Sequence, residues 1–378
     1  IATLLTRRSI LPQGPYTQVS DAVLAANARA AEADLRAATL RAEARSKNWL
    51  PTLGPQVSLT SLGSIVTSLV VEQVIFDNGR KKAERAYAKA DVEVAAVALA
   101  QDTNARVEDA LTLYLTAQKA EARAAVNASA MSDMEHFAWI MDERVKGGVS
   151  NAVDRMVVQQ KLNQMQADMA SDQEAAASAR AELAAMSATP LDGVNGISPL
   201  PSDLTATPLA VVKAQAEATR TVAESRAARA GFLPGLTAVG NVNKNGADAG
   251  LTVQADQGIG LGTGAALAAA DQQAAAADAR VAQTREDAER TLRALQGELA
   301  SLQRQQVQTA ALAAGAEENY RNFAAQQKAG QRSVNDVVGV FESAVSLRRA
   351  AAALPFEVAR VELKIAALKG VLVDGDRI

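Results

Sequence analysis

Several groups of residues in this chain could do chemistry, and each makes a definite demand on the fold around it. Gly258-Ile259-Gly260-Leu261-Gly262-Thr263-Gly264 precedes a helix-forming run and contains the pattern G-x-G-x-x-A. Such a loop cradles a pyrophosphate only in a parallel βαβ unit with an acid about 20 residues further on. Here the surroundings are Ala-rich and no Gly-Lys-Ser/Thr follows, so the glycines read as a loop. His136 is the sole histidine and lies beside Phe137 and Trp139 on a helical run, which reads as structural and not as a zinc ligand or a catalytic base. The chain has no cysteine, which excludes disulfides, thiolate metal sites and thiol nucleophiles. Acidic residues are numerous but are mixed with Lys and Arg, as on solvated helix faces. Two segments are of another kind. Gly148-Val149-Ser150-Asn151-Ala152-Val153-Asp154 and Gly330-Gln331-Arg332-Ser333-Val334-Asn335-Asp336 both place Asp six residues after Gly. Glycine ends helices, and an acid in a first turn favours the next one. No catalytic residue, cofactor site or metal site is expected, and the chain does not read as an enzyme.

The elements that must position these turns follow from composition. Ala dominates the 378 residues, aromatics are 3% and charged residues 21%. Alanine is the best helix former, so helix is expected almost everywhere. A core so poor in aromatic residues suits helices whose backbones approach closely, as in coiled coils or tubes. The formal net charge of −3 gives no basic field for nucleic acid. No run approaches the roughly 18 apolar residues of a membrane helix. A membrane contact would therefore need closed β-barrel strands or surface association.

The order of segments repeats. Trp49-Leu50-Pro51 ends an Ala-rich run that starts near Ser20, and Phe232-Leu233-Pro234 ends one that starts near Thr207. Proline cannot continue a helix, so Pro51 and Pro234 mark helix-to-strand junctions, with Trp49 and Phe232 beside them. Alternating, β-branched and Gly-rich sequence follows each triplet, then a very long helical run, then a shorter one. The two copies lie roughly 183 residues apart. The first unit is 1–189, with a β-hairpin over 56–76, a long helix over 79–146 and a helix over 151–187. A Pro- and Gly-rich linker covers 190–206. The second unit is 207–378, with a hairpin over 236–262 around Asn245-Gly246, a long helix over 264–329 and a helix over 333–369. The first long helix spans about 100 Å at 1.5 Å per residue. In each unit the two shorter helices sum to nearly the length of the long one, as if stacked end to end beside it. Seam spacings run along both long helices, at Ala86, Ala90, Val94 and Val97, and at Leu292, Leu295, Leu299 and Leu302. Two short hairpins cannot close a barrel alone. Copies from several chains could.

This layout resembles the outer membrane efflux protein family, whose best-known member is TolC. The resemblance covers nearly the whole chain. Its most specific marks are Val74-Ile75-Phe76-Asp77-Asn78-Gly79-Arg80, which looks like the family's strand exit into the first long helix, and the two Gly-to-Asp turns. The fold class it implies is mainly α with a small β part: an α-helical barrel plus a trimeric 12-stranded β-barrel, from two tandem structural repeats. The resemblance further implies an outer-membrane location in contact with lipid, a long periplasmic extension, and docking to a periplasmic adaptor and an inner-membrane transporter. The function implied is an exit duct for type I protein secretion or small-molecule efflux. A periplasmic or cytosolic coiled-coil adaptor or scaffold is the alternative. Asp154 and Arg332 match family positions that tie neighbouring turns in the closed state. Asp336 would form a threefold carboxylate ring that favours cations and, by mutual repulsion, keeps a proton to higher pH than a free Asp. Gly339 stands where the family often has a second Asp, so a single acidic ring is expected. Gln327 replaces an aromatic family position.

Overall fold

The structure, a computed structural model, describes residues 2–26, 30–59, 65–201, 204–244, 246–258 and 260–375. The alanine-rich runs fold as α1 Ala2–Leu5, α2 Pro15–Leu24, α3 Ala30–Ser46, α4 Arg80–Lys146, α5 Ala152–Met186, α6 Leu209–Gly231, α7 Thr263–Lys328 and α8 Val334–Lys369. Strands β1 Thr52–Leu59 and β2 Ile65–Phe76 lie between α3 and α4, and β3 Gly235–Asn243 and β4 Gly246–Gln254 between α6 and α7. Helix, two strands, long helix and shorter helix therefore follow one another twice.

Helix α4, of 67 residues, is the mast of the first half. At its strand end Arg45 of α3 pairs with Glu84 at 3.3 Å, and at its far end Arg155 of α5 pairs with Asp142 at 3.2 Å. Between them Arg106 donates to Val23 O at 3.3 Å and to Met186 O at 2.9 Å. One guanidinium thus sits where the C-terminal ends of α2 and α5 meet, a favourable place for a cation on both helix dipoles. In the second half α6 and α8 flank α7, with 23 and 36 residues beside its 66. In the first half α3 and α5, of 17 and 35 residues, fall short of α4. The single helix expected from Ser20 to Trp49 is two: α2 ends at Leu24, and α3 begins at Ala30 and stops at Ser46. Tyr16, Val19 and Val23 anchor α2 in the core, whereas α3 buries only Ala38.

Four apolar clusters of buried residues hold the helices together among the described residues, two of them large. At mid-length, Tyr16, Val19, Val23, Leu111, Tyr114, Leu115, Leu200, Leu363 and Leu372 pack the N-terminal segment, the linker and the C-terminal segment against α4 and α8. Toward the helix turns, Met134, Phe137, Val158, Leu162, Val337 and Phe341 join α4, α5 and α8, with Tyr320 and Phe323 of α7 against them. Pro355 lies inside α8, between the last tip-core residue, Val345, and the first central one, Ala359. It removes one backbone hydrogen bond there.

The strands form one antiparallel sheet in the order β1-β2-β3-β4. Two boundaries differ from the sequence reading. β1 begins at Thr52, directly after Pro51, and not at 56; β4 ends at Gln254 and not near 262. After Gln254 the backbone leaves the ladder: Gln257 N–H bonds Gly231 O at 3.0 Å and Asp256 pairs with Arg80, which ties this segment to α6 and α4 instead of to β3. Asn245 of the expected Asn-Gly turn, Gly63 and Ser64 of the first hairpin, and Ile259 lie outside the described residues.

Candidate functional site

The helix-to-sheet junctions are wired through neighbours of the residues singled out by sequence. Pro51 and Pro234 directly precede β1 and β3. The exposed Trp49 supplies its carbonyl to Gln73 Nε2 at 2.8 Å, and Pro234 supplies its carbonyl to Asn78 Nδ2 at 2.9 Å. Phe232 caps the C-terminus of α6. Asn48 carries more of the load. Its amide donates to Lys81 O at 3.2 Å and Glu84 Oε2 at 3.0 Å, and accepts from Arg85 at 2.8 Å. In the Asp77–Arg80 motif, Asp77 accepts from the backbone N–H groups of Gly79 at 3.1 Å and Lys81 at 2.7 Å, satisfying donors at the start of α4. Asn78 takes a left-handed φ of 53°, and Arg80 pairs with Asp256 across the second junction.

The sheet has two unlike faces. Successive side chains on a strand alternate, and residues paired across an antiparallel ladder share a face. The register pairs Leu53 with Val71, Pro55 with Leu69, Val71 with Gly240, Leu69 with Val242, Ala238 with Leu251 and Leu236 with Val253. Val57, Ala247 and Ala249 continue this face, and Thr67 and Gln73 are its polar members. The opposite face carries Thr52, Gln56, Ser68, Glu72, Thr237, Asn241, Asn243, Asp248, Thr252 and Gln254, with Val70, Val74 and Val239 among them. Among the described residues no helix packs on the apolar face: Leu251 and Val253 are 68% and 69% exposed, and Leu53, Val57, Ile65 and Leu69 are exposed too. Strands β1 and β4, among the described residues, each leave one edge unpaired. An apolar sheet face with open edges is unstable in water alone.

At the far end the two Gly-to-Asp segments have the same construction. Gly148 and Gly330 adopt φ of 74° and 75°, which an L-residue resists, and so let α4 and α7 turn back. Asn151 and Ser333 then cap α5 and α8 by accepting from the backbone N–H groups of Asp154 and Asp336. Asp336 closes a reciprocal capping box with Ser333. The Ser333 hydroxyl and backbone N–H, with Arg332 adding to them, hold the Asp336 carboxyl below the usual carboxylate range. Within one chain its surroundings thus act against the proton retention expected of a threefold ring.

Asp154 and Arg332 have separate partners within the chain. Asp154 Oδ1 accepts from Asn335 Nδ2 at 2.9 Å, which ties the first turn to the second. Arg332 Nε donates to Gln326 at 3.0 Å, and its guanidinium lies 4.5 Å over the Phe323 ring. Nothing local in the sequence marks Asn335, a polar residue at the second helical position of α8, as the tie to the first turn. Further along, Lys161 pairs with Glu342, and Arg349 donates to Asp168 and Asp172 at 2.6 Å each, so α5 and α8 are joined repeatedly. Val149, Val153 and Met156 stand exposed at the α4–α5 turn. Val153 and Met156, three residues apart, share one uncovered face at the start of α5, and Val149 lies in the turn just before it.

The remaining candidates have structural roles. His136 stacks on Trp139 with centroids 5.8 Å apart. Gly260 bonds Thr263 ahead of α7, and the sheet is wholly antiparallel, so its strands supply no βαβ unit. Among the described residues no group of His, Cys, Asp and Glu could hold a metal ion, and no helix is long and apolar enough to cross a membrane.

No family model matches the sequence, and neither does any curated protein. Solved structures do match over nearly the whole chain. CusC, a protein studied for transmembrane channel formation, has a TM-score of 0.81 at 15% identity over 97% of each chain. The outer membrane protein VceC of Vibrio cholerae gives 0.78 at 16% identity, covering 94% of this chain and 96% of its own. The CmeC outer membrane channel of Campylobacter jejuni gives 0.80 at 12% identity, covering 97% and 89%. Helices and sheet together match these proteins, and the chain has the fold of the TolC-like outer-membrane efflux channels.

Proposed function

We propose that this chain is one protomer of an outer-membrane export duct. The observation that carries this reading is the sheet: one face almost wholly apolar and uncovered, the other polar, with open edges on both sides. Its strands have 8, 12, 9 and 9 residues, close to the roughly 9–11 that a tilted strand needs to cross a bilayer. Edge-to-edge closure between copies satisfies every strand and turns the apolar face to lipid. The family resemblance supplies the number three, hence twelve strands, and it assigns the helices to a periplasmic tunnel. The duplicated order of elements fits two tandem repeats, divided by the linker near 190–206.

In this reading the duct performs no bond chemistry. The two turns form its periplasmic entrance, with Asp336 facing the axis and Asp154 and Arg332 contributing to the closed state. The Asn335–Asp154 bond adds a tie inside each protomer. The exposed Val149, Val153 and Met156 suit docking of a periplasmic adaptor, which links the duct to an inner-membrane transporter. The cargo is either protein, as in type I secretion, or small molecules. Membrane fractionation and native mass measurement in detergent test the reading. The expected result is recovery with outer membranes, resistance to salt extraction, and an assembly of three times 39.3 kDa. A salt-extractable or monomeric protein overturns it.

A further inference from the structure

We infer that Glu72 and Asp248 give the barrel lumen a preference for cations, as a selectivity element separate from the periplasmic entrance. The inference rests on the closed barrel proposed above. Within the four strands, Glu72 and Asp248 are the only charged residues, and no Lys or Arg occurs in any of them. Both are exposed, and both lie on the polar face: Glu72 pairs with Thr52 and Val239, and Asp248 pairs with Asn241. Val239 and Asn241 are two residues apart on β3, so the two acids differ in height by only about 7 Å. They are two strands apart, about 10 Å sideways. Repeated in three protomers, they form one belt of carboxylates around the lumen.

The neighbouring charges do not cancel this belt. Arg80 is already paired with Asp256 at the foot of the sheet, and Asp77 is engaged by the start of α4. Lys244 lies in the β3–β4 turn, beyond the strands. Asn241 donates to Asp248 at 3.3 Å, which orients the carboxylate without neutralising it. The remaining polar residues of this face are uncharged amides and hydroxyls. A charged belt of one sign, backed by a low-dielectric wall and lipid, concentrates counter-ions and repels co-ions. The permeants favoured are small cations and cationic solutes. Screening limits the reach of the effect, because the Debye length shrinks from about 10 Å at 0.1 M salt to about 3 Å at 1 M.

The test is the zero-current potential of the purified assembly in planar bilayers under a KCl gradient, at low and at high mean salt. Wild type is compared with Glu72→Gln/Asp248→Asn and with Asp248→Asn alone. All three keep Asp336, so the periplasmic end is constant. The expected result is a cation-selective potential for wild type at about 0.1 M that fades at 1 M. The double variant should lose roughly half of it, and the single variant less. A single or double variant that conducts with the wild-type potential overturns the inference alone. A wild-type assembly that forms no conducting pore overturns the barrel reading, and this inference with it.

Discussion

Val70 and Val71 are adjacent, identical in chemistry, and on opposite faces of the central strand β2. Val71 pairs with Leu53 and Gly240 on the apolar face, and Val70 with Gly54 and Asn241 on the polar one. Both lie at the middle of β2, which runs from Ile65 to Phe76, so the proposed barrel puts them near the bilayer midplane. Lysine on the lipid face at that depth costs about 2–4 kcal/mol per protomer. That corresponds to a roughly 30- to 900-fold change in an equilibrium constant. Val70→Lys places the same ammonium in the aqueous lumen, close to Asn241 and the Glu72 carboxylate, and should cost less than about 0.5 kcal/mol. The assay is twofold: the fraction of each variant assembled in outer membranes, and the denaturant midpoint of the assembly in vesicles. Val71→Lys should lower both sharply, while Val70→Lys stays close to wild type. If the sheet lived in water, both lysines would be solvated and equally tolerated. Equal behaviour of the two variants, in either direction, would refute the assignment of the faces.

Other expectations concern the helices. Arg349 is 15% exposed and holds Asp172, which is 7% exposed, with Arg123 on its other oxygen at 3.3 Å. Arg349→Ala leaves a buried carboxylate short of its main partner and should destabilise the assembly by about 3–5 kcal/mol. Adding Asp172→Asn should recover part of this loss in thermal melts. At the turns, Asn335→Ala removes the hydrogen bond that ties α8 to Asp154 of the first turn, whereas Arg332→Ala removes contacts to Gln326 and Phe323 of α7. Both should raise single-channel conductance, Asn335→Ala the more, and the reverse order would favour Arg332 as the tie between protomers. Burial raises the pKa of Glu362 in the folded chain, partly offset by the Leu200 N–H bond at 3.2 Å. Its charge therefore penalises folding at neutral pH, and the penalty is relieved as pH falls toward the unfolded value. Glu362→Gln, whose amide oxygen can keep the bond, should raise the melting temperature at pH 7 and lose that advantage near pH 4.5.

Much of the architecture is legible one segment at a time. Alanine runs make helices, Pro51 and Pro234 stop them, and the Gly148 and Gly330 turns followed by Asp154 and Asp336 start the next ones. These are local effects of backbone freedom and capping, so a single sequence displays them. The break between α2 and α3 was not visible, because both segments consist of good helix formers and core contacts decide where each lies. The faces of the sheet were also hidden. Leu69-Val70-Val71 reads as a continuous apolar run, and only the pairing of β2 with β1 and β3 shows that Val70 joins Asn241 while Leu69 and Val71 join the apolar side. The Asn335–Asp154 bond joins residues 181 positions apart, and no local pattern announces it. Arg332, picked by its place after Gly330, spends its guanidinium on Phe323 and Gln326, a contact set by the return of α7 into the turn.

The most direct measurement of the central claim uses the fact that the chain contains no cysteine. Leu251 and Thr252 are neighbours on β4 that face opposite sides of the sheet. Single variants Leu251→Cys and Thr252→Cys, assembled in lipid vesicles, are exposed to a water-soluble, membrane-impermeant thiol reagent. The account predicts that Thr252→Cys reacts from the lumen while Leu251→Cys is protected by lipid, and that detergent or denaturant uncovers Leu251→Cys. Comparable labelling of both positions in intact vesicles would contradict it.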